Sequence, residues 1–173
     1  LYEAHGLAVD GLPYFANLDS KGQMYASYAA TGLRFAADWK EDWELDTIRT
    51  GCIDHVMLNL SRALYDAERD RSRFFDNLFD LTEKGLRGLE IKYHTIRRRA
   101  QEGLLPFLVQ REEMDSYLRL ENSFCLLSFV GMNETAQSMT GKTVHESEEA
   151  LNFAEEVASY ISKLVKGYVK RRK

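Results

Sequence analysis

Cysteine is scarce in this chain. There are two, Cys52 and Cys125, with no Cys-x-x-Cys pair and no set of spacings that would make a disulfide framework. That excludes a small disulfide-stapled scaffold and fits a reducing, cytoplasmic setting. Histidine is thin too. His5, His55, His94 and His145 are scattered, none at the spacing of a metal-ligand pair, so no metal site is expected. No apolar run reaches the length of about eighteen residues that would mark a membrane-spanning helix. The opening residues carry Glu3 and His5 and lack the basic-then-apolar order of a secretory signal. There is no P-loop, no Gly-x-Gly-x-x-Gly, no internal repeat and no low-complexity tract. The net charge of −4 argues against general nucleic-acid binding.

What is present suits a globular chain. The 173 residues are 45% apolar and 29% charged, enough for one domain. The first residue is Leu1 and the chain runs out in the basic Lys170–Lys173, so both ends read as cut, and 1–173 reads as a single segment of a longer protein. Short apolar runs alternate with long amphipathic ones, which gives an α/β class. Strands are expected near 12–17, 24–30, 52–58 and 123–130. A short helix is expected over 60–67, with Ser61 as a workable helix opener. A long helix follows over 72–102, opened by Asp70 or Ser72, with Phe74, Phe75, Leu78, Phe79, Leu86 and Leu89 on its apolar stripe. It holds Gly85 and Gly88, which weaken it or admit close packing. Arg97, Arg98 and Arg99 near its end read as a solvated terminus rather than a nucleotide site. Gly103 stops it, a loop starts at 104–107, and 111–122 reads as irregular. Thr143 and Glu146 have capping-box spacing ahead of a packing helix over 146–171. Trp39 and Trp43, four apart, read as a structural patch.

The strongest candidate site is in Asn122–Gly141. The apolar run 123–130 is broken by Gly131, Asn133 and Glu134 follow at once, and a helical pattern begins behind them. Strand, tight turn and helix place polar groups at the carboxyl end of a strand, where α/β proteins bind ligands. The plain alternative is that Asn133 caps the helix and Glu134 complements its dipole.

This stretch resembles the anaerobic (class III) ribonucleoside-triphosphate reductases, glycyl-radical enzymes. In that family a strand enters a Val-Gly-hydrophobic-Asn-Glu turn and then a helix ending near Met-Thr-Gly. Here these are Val130, Gly131, Met132, Asn133, Glu134 and Met139, Thr140, Gly141. A Gly-x-Pro-Tyr-Phe-x-Asn motif matches Gly11–Asn17. A Thr-Gly-x-x-x-x-Val-x-x-Asn-Leu-Pro-Arg motif matches Thr50, Gly51, Val56, Asn59, Leu60 and Arg62, with Ser61 in place of Pro.

The resemblance implies part of a ten-stranded α/β barrel with long outer helices. It implies reduction of ribonucleoside triphosphates to deoxyribonucleotides by radical chemistry. Glu134 and Cys52 would be catalytic, and Asn133, Met132, Gly131 and Ile53 would bind substrate. Cys52 has a second reading, as a small buried hydrophobe. The family uses a glycyl radical made by an S-adenosylmethionine/iron-sulfur activase, formate or a thiol protein as reductant, and ATP or dATP as effector. The regulatory module is expected before Leu1; the glycyl residue, its zinc neighbourhood and the phosphate loop are expected beyond Lys173. The partners implied are a ribonucleoside triphosphate, the activase and a second copy in a homodimer, with no nucleic acid and no membrane. One departure stands out. The family's radical cysteine sits on a loop after the first strand, and no cysteine precedes Cys52 here. A non-catalytic relative and a lyase-type glycyl-radical enzyme are the alternatives.

Overall fold

The computed structural model describes residues 2–9, 27–28, 34–35, 51–112 and 115–172. In chain order the elements are α1 (Tyr2–Val9), β1 (Ser27–Tyr28), β2 (Arg34–Phe35), β3 (Cys52–Asn59), α2 (Leu60–Asp66), α3 (Arg71–Gln101) and α4 (Pro106–Val109). Then come β4 (Arg111–Glu112), β5 (Asp115–Ser116), a 3-10 turn at Leu120–Asn122, β6 (Phe124–Val130), α5 (Met132–Thr140) and α6 (Glu148–Arg172). Two compact units form: Leu1–Gly51 with Gly103–Phe124, and Cys52–Glu102 with Cys125–Lys173.

In the first unit β1 pairs antiparallel with β2 and β4 with β5. The strand expected over 12–17, Trp39 and Trp43 lie outside the described residues. Of the strand expected over 24–30, Ser27–Tyr28 is described, as a strand. The loop expected at 104–107 contains a helical turn with Pro106 at its start, and 111–122, expected to be irregular, holds the β4–β5 pair and the 3-10 turn.

The second unit is two modules of like order: β3-α2-α3 and β6-α5-α6. β3 and β6 pair in parallel. Among the described residues every strand pairing is two-stranded, so the architecture seen is mixed α/β and mostly helical. The β3–β6 pair packs on α3, and Gly85 of that helix sets the approach. A Cβ there would meet Leu127 Cδ1 at 3.0 Å and Val56 Cγ1 at 3.3 Å. Gly88 has open space at the same test, so its helix-weakening is not offset by packing.

Local chemistry accounts for the helix ends. Asp70 caps α3, its carboxylate accepting from the Arg73 N–H at 2.8 Å, and Gly103 ends it at φ 73°. Arg97–Arg99 are exposed, as a solvated end requires. Ser61 does not open α2: Asn59 caps it, accepting from the Arg62 N–H at 2.9 Å, because the amide oxygen one position before the helix reaches the third N–H. The Thr143–Glu146 pair forms, Thr143 N–H donating to Glu146 at 2.9 Å, but within a turn that precedes the helix. α6 starts at Glu148 rather than 146, behind Ser147.

The core joins the modules. Phe74 and Leu78 of α3, Ala136 of α5 and Ala150, Phe153, Val157 and Ile161 of α6 are buried together. The expected stripe of α3 holds except at Phe79, which is 40% exposed because its position has turned past the core face. Thr82 is fully buried on that face, and its hydroxyl has no hydrogen-bond partner. A buried hydroxyl of that kind costs stability, so Thr82→Val, which keeps the shape, is expected to stabilise the fold by about 1 kcal/mol. Urea unfolding checks this, and a destabilised variant would show that the hydroxyl is bonded.

Candidate functional site

The two parallel strands end side by side, and each runs into a short helix. Gly131 makes the turn after β6 at φ 84°, ψ 23°, a left-handed conformation. Its carbonyl then gathers donors: Thr135 N–H at 2.9 Å, Thr135 Oγ1 at 2.6 Å and Ser61 Oγ at 3.3 Å. Thr135 is fully buried, so the turn is fixed from beneath, while Ser61 ties it to α2. The serine that replaces the resembling family's proline thus bonds the Gly131 turn.

A cleft of about 660 Å³ opens over this junction, between α2 and α5. Its polar lining includes Ser61, Asp66, Glu68, Arg69, Glu134 and Ser138. It lies outside the carboxyl ends of parallel strands, where strand-end crevices accept ligands. Glu134 stands in the first turn of α5 and is exposed at the cleft, with Ser138 one turn further on the same face. Asp66 and Glu68 are offset by neighbours: Arg62 Nε reaches Asp66 at 2.9 Å and Arg73 reaches Glu68 at 3.3 Å. The Asp66 carboxylate in turn holds the Arg62 guanidinium above its ordinary pKa.

The α2–α3 turn on the cleft's rim is strained. Glu68 and Arg69 sit at φ 54° and 62°. Glu68 N–H bonds Tyr65 O at 3.0 Å and Arg69 N–H bonds Leu64 O at 3.2 Å, the paired closure that normally recruits glycine. Glu68→Gly is expected to stabilise the fold by about 1 kcal/mol, since relief of left-handed strain outweighs the added unfolded-state freedom. Thermal melting checks it; a lowered midpoint would place the strain elsewhere.

The expected site residues divide into two groups. Glu134 lines the cleft; Gly131 makes the turn beside it and Met132 packs against the core, and neither is part of the cleft lining. Asn133 is exposed on α5, but it does not cap that helix, whose cap position is Gly131. Its Oδ1 accepts from the Val144 N–H at 3.1 Å and so secures the loop after α5. Cys52 and Ile53 are at the other end, where β3 begins. Seven residues of parallel strand separate that end from the cleft, a distance of about 20 Å. The structure therefore does not bring Cys52 or Ile53 together with Glu134. Cys52 is exposed rather than buried, its thiol donating to Asp54 O at 3.1 Å. Beside it, Lys92 Nζ lies 2.7 Å from the Asp54 carboxylate and holds it below the ordinary carboxylate range.

Sequence reasoning missed Tyr65, Asp66, Glu68, Arg69 and Ser138, and took Ser61 only as a helix opener. Ser138 was available as the residue four after Glu134. Tyr65 and Arg69 carry no such signal, because they reach the cleft through a turn geometry that Glu68-Arg69 does not advertise. Among the described residues no three His, Cys, Asp or Glu side chains converge in a way that would hold a metal ion. None of the described helices is long and apolar enough to cross a membrane.

The described residues thus form a mixed α/β protein with a strand-end cleft edged by a carboxylate and hydroxyls. The family model described as anaerobic ribonucleoside-triphosphate reductase matches residues 3–173, and the chain belongs to that family. No curated protein and no solved structure matches it. The family is one of oxidoreductases that act on nucleotides.

Proposed function

We propose that this chain supplies part of the catalytic barrel of an anaerobic ribonucleotide reductase, which reduces ribonucleoside triphosphates to deoxyribonucleotides. The observation that carries the reading is the family match over 3–173, together with a strand-end cleft at the Gly131–Glu134 turn. In this reading the cleft takes the sugar rather than the phosphates. Its lining carries three carboxylates, Asp66, Glu68 and Glu134, against the single cation Arg69, and Arg62 and Arg73 offset two of them. With Arg62 and Arg73 counted the charges balance, so a triphosphate would find no surplus of cations there, whereas ribose hydroxyls would meet acceptors and donors at Glu134, Ser61 and Ser138. Glu134 accepts or returns a proton as a ribose hydroxyl is lost. Asn133 holds the loop behind it.

Other parts of the proposal rest on the family. The full-length protein would form the ten-stranded barrel and work in the cytoplasm as a homodimer. A glycyl radical installed by an S-adenosylmethionine/iron-sulfur activase, formate or a thiol as reductant, an ATP or dATP effector and a zinc site would belong to segments outside this one. The zinc would supply structure and the glycyl radical would supply the hydrogen-abstracting radical.

Anaerobic assay of the full-length protein with its activase and a ribonucleoside triphosphate tests the proposal. Deoxyribonucleotide product is expected, and none from residues 1–173 alone. A full-length protein that gains a glycyl-radical signal yet forms no deoxyribonucleotide would favour the second reading, a relative without reductase chemistry. That reading draws on the absence of any cysteine before Cys52.

A further inference from the structure

The two cysteines of the chain are far apart in sequence and neighbours in space. At the amino ends of the strand pair, the Phe124 N–H bonds Gly51 O at 3.1 Å. Four residues on, His55 Nε2 and Ser128 Oγ share a 2.5 Å hydrogen bond across a separation of 73 residues. The backbone bond sets Phe124 level with Cys52 and Cys125 one residue further along its strand, near enough for the Cys52 charge to act on the Cys125 thiol. Alternation along the strands then sorts the faces. Val56 and Leu127 both press on the Gly85 position of α3, and Asp54 reaches Lys92 of α3, so residues 52, 54, 56 and 125, 127 share the helix-facing side. His55 and Ser128 occupy the other side. Adjacent parallel strands lie about 4.8 Å apart and each residue rises about 3.3 Å, so Cα atoms one step out of register are about 6 Å apart, inside the separation that a disulfide spans.

The surroundings differ between the two thiols. Cys52 is exposed; Cys125 is half-buried and borders an apolar hollow with Leu86, Leu89, Tyr93 and Val165. Burial pushes the Cys125 thiol up, and the neighbouring Cys52 and Asp54 add to the shift.

We infer that Cys52 and Cys125 form a dithiol pair that peroxide oxidises to a disulfide joining β3 to β6. The Cys52 thiolate attacks hydrogen peroxide, the O–O bond breaks, and a sulfenic acid and water form. The Cys125 thiolate then attacks the Cys52 sulfur, the S–S bond forms and a second water leaves. In sum, two thiols and one peroxide give one disulfide and two waters. Cys52 is the attacking sulfur because it is exposed; Cys125 resolves, and its raised pKa makes the second step faster as pH rises past the range of an ordinary thiol. This modification site is independent of the proposed reductase chemistry, which lies at the far end of the strands.

The test uses the 173-residue chain, treated with hydrogen peroxide and read by intact mass and peptide mapping. Loss of two hydrogens in the monomer and a Cys52–Cys125 linked peptide are expected. Cys125→Ser should stop at a sulfenic acid on Cys52 that dimedone captures, while Cys52→Ser should give no linked peptide. Phenylarsine oxide, which condenses with two adjacent thiols and releases water, gives a second readout without oxidation. Wild type should capture one phenylarsine at least about tenfold more tightly than either serine variant, each first shown by circular dichroism to be folded. Overoxidation at Cys52 alone, disulfides only between chains, or equal arsenical capture by wild type and a folded single variant would each overturn the inference.

Discussion

Glu134→Gln in the full-length reductase is expected to lower kcat by about 10²–10⁴-fold, the range of a lost general acid–base group, and to leave KM little changed. The amide keeps the hydrogen-bonding shape of the side chain and loses only its capacity to take and return a proton. Folding should survive because Glu134 is exposed and is not part of the core cluster. What the substitution removes from stability is one negative charge in the first turn of α5, a contribution of up to about 1 kcal/mol at a helix N-terminus. Activity and thermal melting must therefore separate. If the variant turns over at the wild-type rate, Glu134 has no part in the mechanism. If activity and melting fall together, the carboxylate is a structural element of the turn.

Gly131→Ala is expected to cost about 3 kcal/mol of stability, from two sources that can be told apart. A side chain at φ 84° carries left-handed strain of about 1–2 kcal/mol wherever it is placed. Beyond that, an added Cβ would sit 2.4 Å from Ser61 Oγ and 3.4 Å from the Ser61 backbone nitrogen. The first contact is with a short side chain and the second with the backbone, so only the first can be engineered away. Ser61→Ala alone should be mild, since it forfeits a long hydrogen bond. Combined with Gly131→Ala it should recover the part of the loss due to the Oγ overlap and leave the strain. Urea unfolding of the four proteins in a double-mutant cycle checks this. Strict additivity would mean that the two residues do not meet. Loss of only a few tenths of a kcal/mol in Gly131→Ala would mean that the turn is not left-handed.

The secondary structure of the second unit was legible in the sequence for physical reasons. The stripe Phe74, Leu78, Leu89 and the stripe Ala150, Phe153, Val157, Ile161 have helical periods, and those residues are buried. Asp70 and Gly103 are strong start and stop signals and act as such. Capping was less legible. Asn59 opens α2 instead of Ser61, and Ser147 precedes α6 while Thr143 and Glu146 bond each other in a turn, because several polar residues compete at each end. The turn at Gly131 could be read, since glycine is the residue that adopts a left-handed φ at least cost. The cleft above it could not be read in full: Tyr65 and Arg69 reach it through a left-handed turn built from residues that normally avoid that conformation. Nor does local sequence reveal that Cys52 and Glu134 lie at opposite ends of a strand pair, which follows from parallel pairing alone.

The paired β-α-α modules also have a kinetic consequence. Each can gain its strand–helix and helix–helix contacts from near neighbours in sequence, but β3 meets β6 only by closing a loop of 73 residues. That closure costs about 4 kcal/mol of chain entropy, and nothing compensates it until the modules dock. Folding of this unit should therefore be a late assembly of two locally formed halves, slow for so helical a protein because its contact order is set by one pair of strands.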